Sequence, residues 1–228
     1  MIIMKNVYKK YPNGVVAVNG IDVTISQGEF VYVVGASGAG KSTFIKLMYR
    51  EEKPTKGTII VNGLDITKMR SSKIPLLRRN IGVVFQDFKL LPKLTVYENI
   101  AFALEVIEES PRVIRKKVLE VLDLVNLKHK ARMFPTELSG GEQQRVSIAR
   151  SIVNSPSVVI ADEPTGNLDP ETSWGIMQIF EEINTRGTTV IMATHNKEIV
   201  NTIKHRVIEI DGGMIVRDEQ RGGYNNEN

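Results

Sequence analysis

The sequence predicts an α/β fold: a parallel sheet with helices on both faces, an antiparallel β lobe at the front and a helical lobe inserted into the sheet. Three observations carry that prediction. In the C-terminal third, short apolar strands alternate with helical stretches: SVVIADEP, a helix from Pro170 to about Asn184, TTVIMAT, a helix near Lys197 to Ile203, and RVIEI. Strands of this kind bounded by helices imply a parallel sheet covered on both sides. The N-terminal segment is instead a series of β-branched runs separated by turns, and from about Thr95 the apolar period changes to helical spacing.

Taken in order, IIMKNVYKKY, VVAVNGIDVTI, FVYVV and GTIIVNG read as strands, punctuated by Pro12-Asn13-Gly14 and Asn62-Gly63. A helix is expected from Ser42 to Arg50 and a strand from Ile81 to Phe85. Val96, Ile100, Ala103, Leu104 and Ile107 recur at helical spacing, as do Ile114, Val118, Val121, Leu122 and Val125. Pro111 suits the first turn of the second of these helices, with Ser110 as its cap. A third helix runs from about Gly141 to Asn154. The expected organisation is a single domain over 1–228, with the α/β core and β lobe in 1–86 and 155–228 and the helical lobe in about 87–154. The polar ending RGGYNNEN is expected to fray.

Composition narrows the function. Of 228 residues 42% are hydrophobic and 25% charged, enough to build a core and too ordinary for wholesale disorder. The absence of cysteine excludes a disulfide scaffold, an Fe–S cluster, a cysteine nucleophile and most structural zinc sites; three scattered histidines argue against a His-rich metal site. The longest apolar runs, Phe30 to Val34 and Ile100 to Leu104, fall far short of the roughly 20 residues of a spanning helix. The opening MIIMKNVYKKY has no signal-peptide core, so a soluble intracellular chain is expected. The net charge of +4 is mild, where a nucleic-acid binder usually shows a denser basic stripe; the most basic stretch, Arg112 to Arg132, reads first as a solvated helix face, the alternatives being contact with lipid headgroups, nucleic acid or an acidic partner.

Two constellations carry chemistry. Gly35-Ala36-Ser37-Gly38-Ala39-Gly40-Lys41-Ser42 fits G-x-x-x-x-G-K-[ST] between a strand and a helix. Its glycines let backbone N–H groups wrap a phosphate, and the helix N-terminus adds a positive field. Lys41 would reach the β- and γ-phosphates, the Ser42 hydroxyl would take a Mg²⁺ position, and Thr43 completes the nucleotide-binding run. The strand Val158 to Ala161 ends in Asp162-Glu163. A carboxylate at the end of a buried strand is costly unless a cation sits there, so Asp162 is assigned to Mg²⁺. Glu163 can polarise an attacking water, which favours hydrolysis of ATP over transfer.

Leu138-Ser139-Gly140-Gly141-Glu142-Gln143-Gln144-Arg145 reads locally as a capped helix N-terminus, with Ser139 and Glu142 forming a capping box. The string closely resembles the signature of ABC-type ATPases. That resemblance covers essentially the whole chain and implies a P-loop NTPase core of ABC type. It also implies roles for residues that spacing alone leaves open. Tyr11 is placed where the family stacks an aromatic on adenine. Gln86 matches the glutamine that senses Mg²⁺ and contacts the transport partner. Leu168-Asp169 resembles the loop that crosses the dimer interface, and His195 the switch histidine on the γ-phosphate. Ser139, Gly140 and Gly141 are expected to meet the nucleotide held by a second subunit, so that two chains pair head-to-tail around two Mg-ATP.

Within the family, Leu76 to Val106, Ala193 to Asn201 and the VRDE…GGY ending are most similar to the ATPases of bacterial cell division. The resemblance implies a separate membrane subunit of FtsX type and, indirectly, control of peptidoglycan hydrolases. It places the chain at the cytoplasmic face of the plasma membrane, with no nucleic acid as partner. The alternative is an ATPase of lipoprotein release or macrolide/peptide export; soluble ABC proteins of DNA repair and of the ribosome are a third class. Asp87-Phe88-Lys89-Leu90-Leu91-Pro92, just after Gln86, is expected to border a groove for a helix of the membrane subunit, with Asp87, Lys89 and Lys93 as its charged edges.

Overall fold

A computed structural model describes residues 1–224 of the chain. Strands β1 (Ile2–Lys10), β2 (Val16–Ile25), β4 (Lys56–Val61) and β5 (Leu64–Asp65) form an antiparallel sheet in the order β2-β1-β4-β5. The second sheet holds β3 (Phe30–Val34), β6 (Ile81–Val84), β7 (Val158–Asp162), β8 (Thr189–Ala193), β9 (Arg206–Asp211) and β10 (Met214–Glu219). Its order is β10-β9-β3-β8-β7-β6, parallel from β9 to β6, with β10 antiparallel on the edge.

β3 shows how the sequence builds this sheet. All five of its residues are buried. Because side chains alternate across a strand, Phe30, Tyr32 and Val34 enter one core while Val31 and Val33 enter the other. The first core is closed by α3 (Val96–Glu105), α4 (Pro111–Leu124), α5 (Gly140–Ile152) and α6 (Pro170–Thr185). The second lies between the sheet, α1 (Lys41–Met48) and the β lobe. The short α2 (Ile74–Arg78) and α7 (Lys197–Thr202) complete the helices.

Several boundaries differ from expectation. Helix α1 stops at Met48, and Arg50 turns away in the left-handed region at φ 58°. Ser110 stands at the N-cap of α4 with Pro111 following, but its hydroxyl makes no capping bond. Strand β10 was not anticipated: its alternation between exposed and half-buried residues is the weak pattern of an edge strand. The tail also differs. Arg221 to Tyr224 folds back rather than fraying, since the Tyr224 N–H donates to Asn201 Oδ1 at 2.7 Å and Tyr224 packs on the first core; residues 225–228 lie outside the described residues. The basic stretch is a solvated face whose lysines are mostly paired, Lys116 with Glu120, Lys117 with Glu109, Lys128 with Asp123 and Lys130 with Glu142.

Candidate active site

The loop between β3 and α1 is shaped by glycine. Gly35 has φ 142°, and a Cβ there would fall 2.1 Å from the Ile210 carbonyl oxygen, so no side chain fits. Lys41 Nζ donates to the carbonyls of Gly35 at 2.8 Å and Ala36 at 3.0 Å, which folds the loop over the start of α1. Ser37, Gly38, Gly40, Lys41, Ser42 and Thr43 line a cleft of about 610 Å³ together with Gln86, Glu163 and His195. Tyr11, at the end of β1, bonds Thr43 through its hydroxyl at 3.2 Å, with the Lys9 ammonium 4.9 Å above its ring. Residues from four separate segments thus meet at one cleft, with Tyr11 held beside it through Thr43.

The parallel pairing of β7 with β8 brings the acidic pair to its place. Asp162 is opposite Ala193 in register, and the Glu163 N–H donates to the Ala193 carbonyl at 2.9 Å. Glu163 Oε2 then lies 2.8 Å from His195 Nδ1 and accepts from the His195 backbone N–H at 3.2 Å. Glu163 sits in the left-handed region at φ 50°, a conformation that costs a non-glycine residue and is concentrated at functional sites. Asp162 is 3.4 Å from the Ser42 hydroxyl. Burial raises the Asp162 pKa, and the Ser42 bond only partly offsets it. A desolvated carboxylate beside a hydroxyl, with the Gln86 amide on the same cleft, is an all-oxygen donor set suited to a hard cation that keeps water and phosphate ligands.

The signature residues lie elsewhere. Ser139 Oγ accepts from the Glu142 N–H at 3.3 Å, and Glu142 Oε2 accepts from the Ser139 N–H at 3.0 Å, closing the capping box. A hydrogen bond from Lys130 holds the Glu142 carboxyl below its usual range against the opposing effect of burial. Gly141 is required by close approach, since a Cβ would sit 2.3 Å from Thr172 Cγ2. Asp169 caps α6 by accepting from the Thr172 N–H at 2.9 Å. Ser139, Gly141 and Thr172 line a second concavity, of about 500 Å³, that shares no residue with the P-loop cleft. One chain therefore does not bring its signature to its own Lys41.

Two residues of α5 tie these surfaces together: Gln144, read in the sequence only as part of the signature string, and Arg150, which carried no signal there. Gln144 is fully buried in α5 and donates to the Pro164 carbonyl at 2.8 Å, one residue after Glu163. Arg150, also on α5, donates to the carbonyls of Phe88 at 2.9 Å and Lys89 at 2.7 Å, both in left-handed conformation just after Gln86. Their partners are backbone carbonyls supplied by distant segments, which side-chain patterning does not reveal.

This combination of fold and cleft defines a nucleotide-hydrolysing cassette, and the comparisons agree. The ABC transporter family matches residues 18–166, and the chain belongs to that family; it is an ABC-type ATPase. The similarity extends to individual curated proteins. The chain is 75% identical over 224 residues to the cell division ATP-binding protein FtsE of Bacillus subtilis, covering 98% of each chain. It is 53% identical to FtsE of Mycobacterium tuberculosis, again over 98% of each. Among solved structures, a dimeric ATP-binding cassette in a post-hydrolysis state bound to ADP and Pi superposes with a TM-score of 0.88 at 35% identity, covering 98% of this chain and 100% of that one.

Proposed function

We propose that this chain is the ATP-hydrolysing subunit of a membrane complex of FtsE–FtsX type, peripheral at the cytoplasmic face of the bacterial plasma membrane at the division site. In this reading ATP-driven movement is passed across the membrane to regulate peptidoglycan hydrolases. The observation that carries the hydrolytic part is the Glu163–His195 pair facing the P-loop cleft, with the signature on a separate surface. That separation supports a composite site in which Ser139, Gly140 and Gly141 of one copy close over the nucleotide held by the other.

Within each half-site, Tyr11 offers a ring for adenine, and the backbone of Gly35 to Gly40 with the α1 N-terminus receives the phosphates. Lys41 leaves its loop carbonyls for the β- and γ-phosphates. Ser42, Asp162 and Gln86 would hold Mg²⁺, which supplies neutralisation of the charge developing on the phosphate oxygens. Glu163 accepts a proton from the attacking water, and His195 fixes that carboxylate while presenting its exposed ring to the terminal phosphate. In this reading Asp169, the N-cap of α6, would meet the second copy.

The docking surface is a groove of about 610 Å³ between the core and the helical lobe, lined among others by Arg78, Arg79, Lys89, Leu91, Phe102, Val106 and Arg150. Apolar contacts would give affinity to an amphipathic cytoplasmic helix and charges its register. Lys89 borders it as expected; Asp87 and Lys93 do not line it, and arginines form the rest of its charged rim. The curated relatives named FtsE favour this reading over lipoprotein-release or export ATPases. The test is co-purification from detergent-solubilised membranes. Recovery of a four-helix subunit with one large extracellular loop is expected, and recovery of a different class of membrane subunit would overturn the assignment.

A further inference from the structure

Helix α7, which directly follows His195, has little of its own to hold it. It spans six residues, Lys197–Thr202, of which only Ile199 and Val200 are buried. Helices below about 12–15 residues are marginal in water and depend on tertiary contacts. Asn196 caps it by accepting from the Ile199 N–H at 3.1 Å. Ile199 and Val200 belong to the first core, with Ile203 packed against it, and the chain's own end adds a further contact on the outer side of α7.

Past β10 the chain turns back across β9 to lie on α7. The Tyr224 N–H donates to Asn201 Oδ1 at 2.7 Å, and the Lys197 ammonium stands 5.2 Å from the centre of the Tyr224 ring. The Gly223 carbonyl accepts from Arg217 Nη1 at 2.8 Å, which anchors the segment to β10. The approach is close: a Cβ on Gly223 would lie 2.7 Å from Asn201 Oδ1 and 2.9 Å from Lys204 Nζ, the mobile ends of two side chains. The Tyr224 ring packs against the first core, and burial raises the pKa of its phenol. The tail is thus pinned to β10 on one side and to α7, the helix that directly follows His195, on the other.

We propose that Tyr224 is a positioning residue for hydrolysis, a strap that pins α7 to the β9–β10 edge of the sheet and so helps hold His195 on Glu163. This goes beyond the assignment of the cleft and rests on the role given to His195 above. The strap acts on the orientation of the Glu163–His195 pair; nucleotide affinity is carried by Lys41 and the α1 amides, which sit on rigid elements.

The experiment measures steady-state Mg-ATP hydrolysis by the full chain, with ATP affinity and urea stability on the same preparations. Tyr224→Ala should lower kcat by about tenfold, the scale expected when a catalytic group is displaced by a fraction of an ångström, with KM and urea midpoint nearly unchanged. Asn201→Ala should do the same, and the double variant should lose little more than either, since both remove one clamp. Tyr224→Phe, which keeps the ring and backbone contacts on α7, should recover most of the rate. Unchanged kcat in Tyr224→Ala would overturn the proposal, and so would parallel losses of kcat, affinity and stability, which would mark general loosening. A His195→Ala arm separates the two readings: wild-type hydrolysis there would sink the role of His195, whereas an inactive His195→Ala beside a fully active Tyr224→Ala would sink the strap alone.

Discussion

Glu163 Oε2 lies 2.8 Å from His195 Nδ1, and the same oxygen receives the His195 backbone N–H. Both contacts follow from β7 and β8 being neighbours in a parallel sheet, so the end of one strand holds the carboxylate at the end of the other. The side chain of Glu163 is largely buried, while that of His195 is 63% exposed and free to follow a ligand. A carboxylate restrained in this way is oriented before nucleotide arrives.

Glu163→Gln keeps that geometry and removes the base. ATP binding should persist while hydrolysis slows by roughly two orders of magnitude or more. Because hydrolysis reopens the closed pair of chains, the variant should accumulate as an ATP-bound dimer. Size-exclusion chromatography with and without Mg-ATP reads this directly, and hydrolysis at the wild-type rate would remove Glu163 from the mechanism.

Lys41→Ala and Gly140→Asp separate the two halves of a composite site. The first should abolish nucleotide binding by removing the cation on the phosphates. The second is tolerated by the fold, since a Cβ at Gly140 meets only Leu168 Cδ2 at 3.6 Å and Phe88 Cζ at 3.9 Å. It should bind ATP nearly normally yet fail to close, because its carboxylate would face the partner's γ-phosphate. Mixing the two inactive variants should restore activity through up to one intact site per heterodimer. Loss of ATP affinity in Gly140→Asp as complete as in Lys41→Ala would refute the two-chain site.

The capping box of α5 gives a pH-dependent expectation. Glu142 has its folded-state pKa lowered, chiefly by Lys130. A lowered carboxylate stabilises the fold above its unfolded value of about 4.3, and that contribution disappears as pH falls through the lower folded value. Glu142→Gln should therefore reduce the urea midpoint more at pH 7 than near pH 3. Ser139→Ala should cost about 1 kcal/mol at pH 7 through the lost cap. An equal effect of Glu142→Gln at both pH values would show that the charge is not what matters.

How much of this was legible in the sequence depended on whether partners were close along the chain. The phosphate loop was readable because strand, glycines, Lys41 and helix are contiguous, and the Ser139–Glu142 cap because both partners lie within one turn. Tyr11, Gln86 and His195 were placed only by family order; nothing local distinguishes them from ordinary strand-end residues. The Glu163–His195 contact requires knowing that β7 lies beside β8, which periodicity does not specify. Strand β10 escaped because an edge strand half in solvent has a weak alternation, although Asp211-Gly212-Gly213 is a hairpin signal before it. The turn of residues 221–224 onto α7 was not legible from their polarity, because it is made through backbone groups of Gly223 and Tyr224 and the Tyr224 ring.

The docking groove yields the remaining expectation. Its rim carries Arg78, Arg79, Lys89 and Arg150, and among the described residues no carboxylate lines it, while Leu91, Phe102 and Val106 supply apolar surface, the last two largely exposed. A helix seated there should present an apolar stripe flanked by acidic residues. Arg150 is a poor probe, because it holds the Phe88 and Lys89 carbonyls and its loss would disturb the loop after Gln86. Lys89 is better placed: its ammonium pairs only with exposed Asp87, at 3.0 Å, so reversing it leaves the fold intact. Lys89→Glu and Arg79→Glu should each weaken capture of the membrane subunit in a pull-down while ATP affinity stays near wild type. Lys93→Glu, outside the groove, should capture normally and serves as the matched control. In cells the first two should mimic loss of the ATPase as a division or cell-shape defect. Since Arg150 on α5 lines the groove, and Phe85 of the groove directly precedes Gln86 of the cleft, a docked helix is expected to move with the nucleotide state. Undiminished capture by both groove variants would place the membrane subunit on another face.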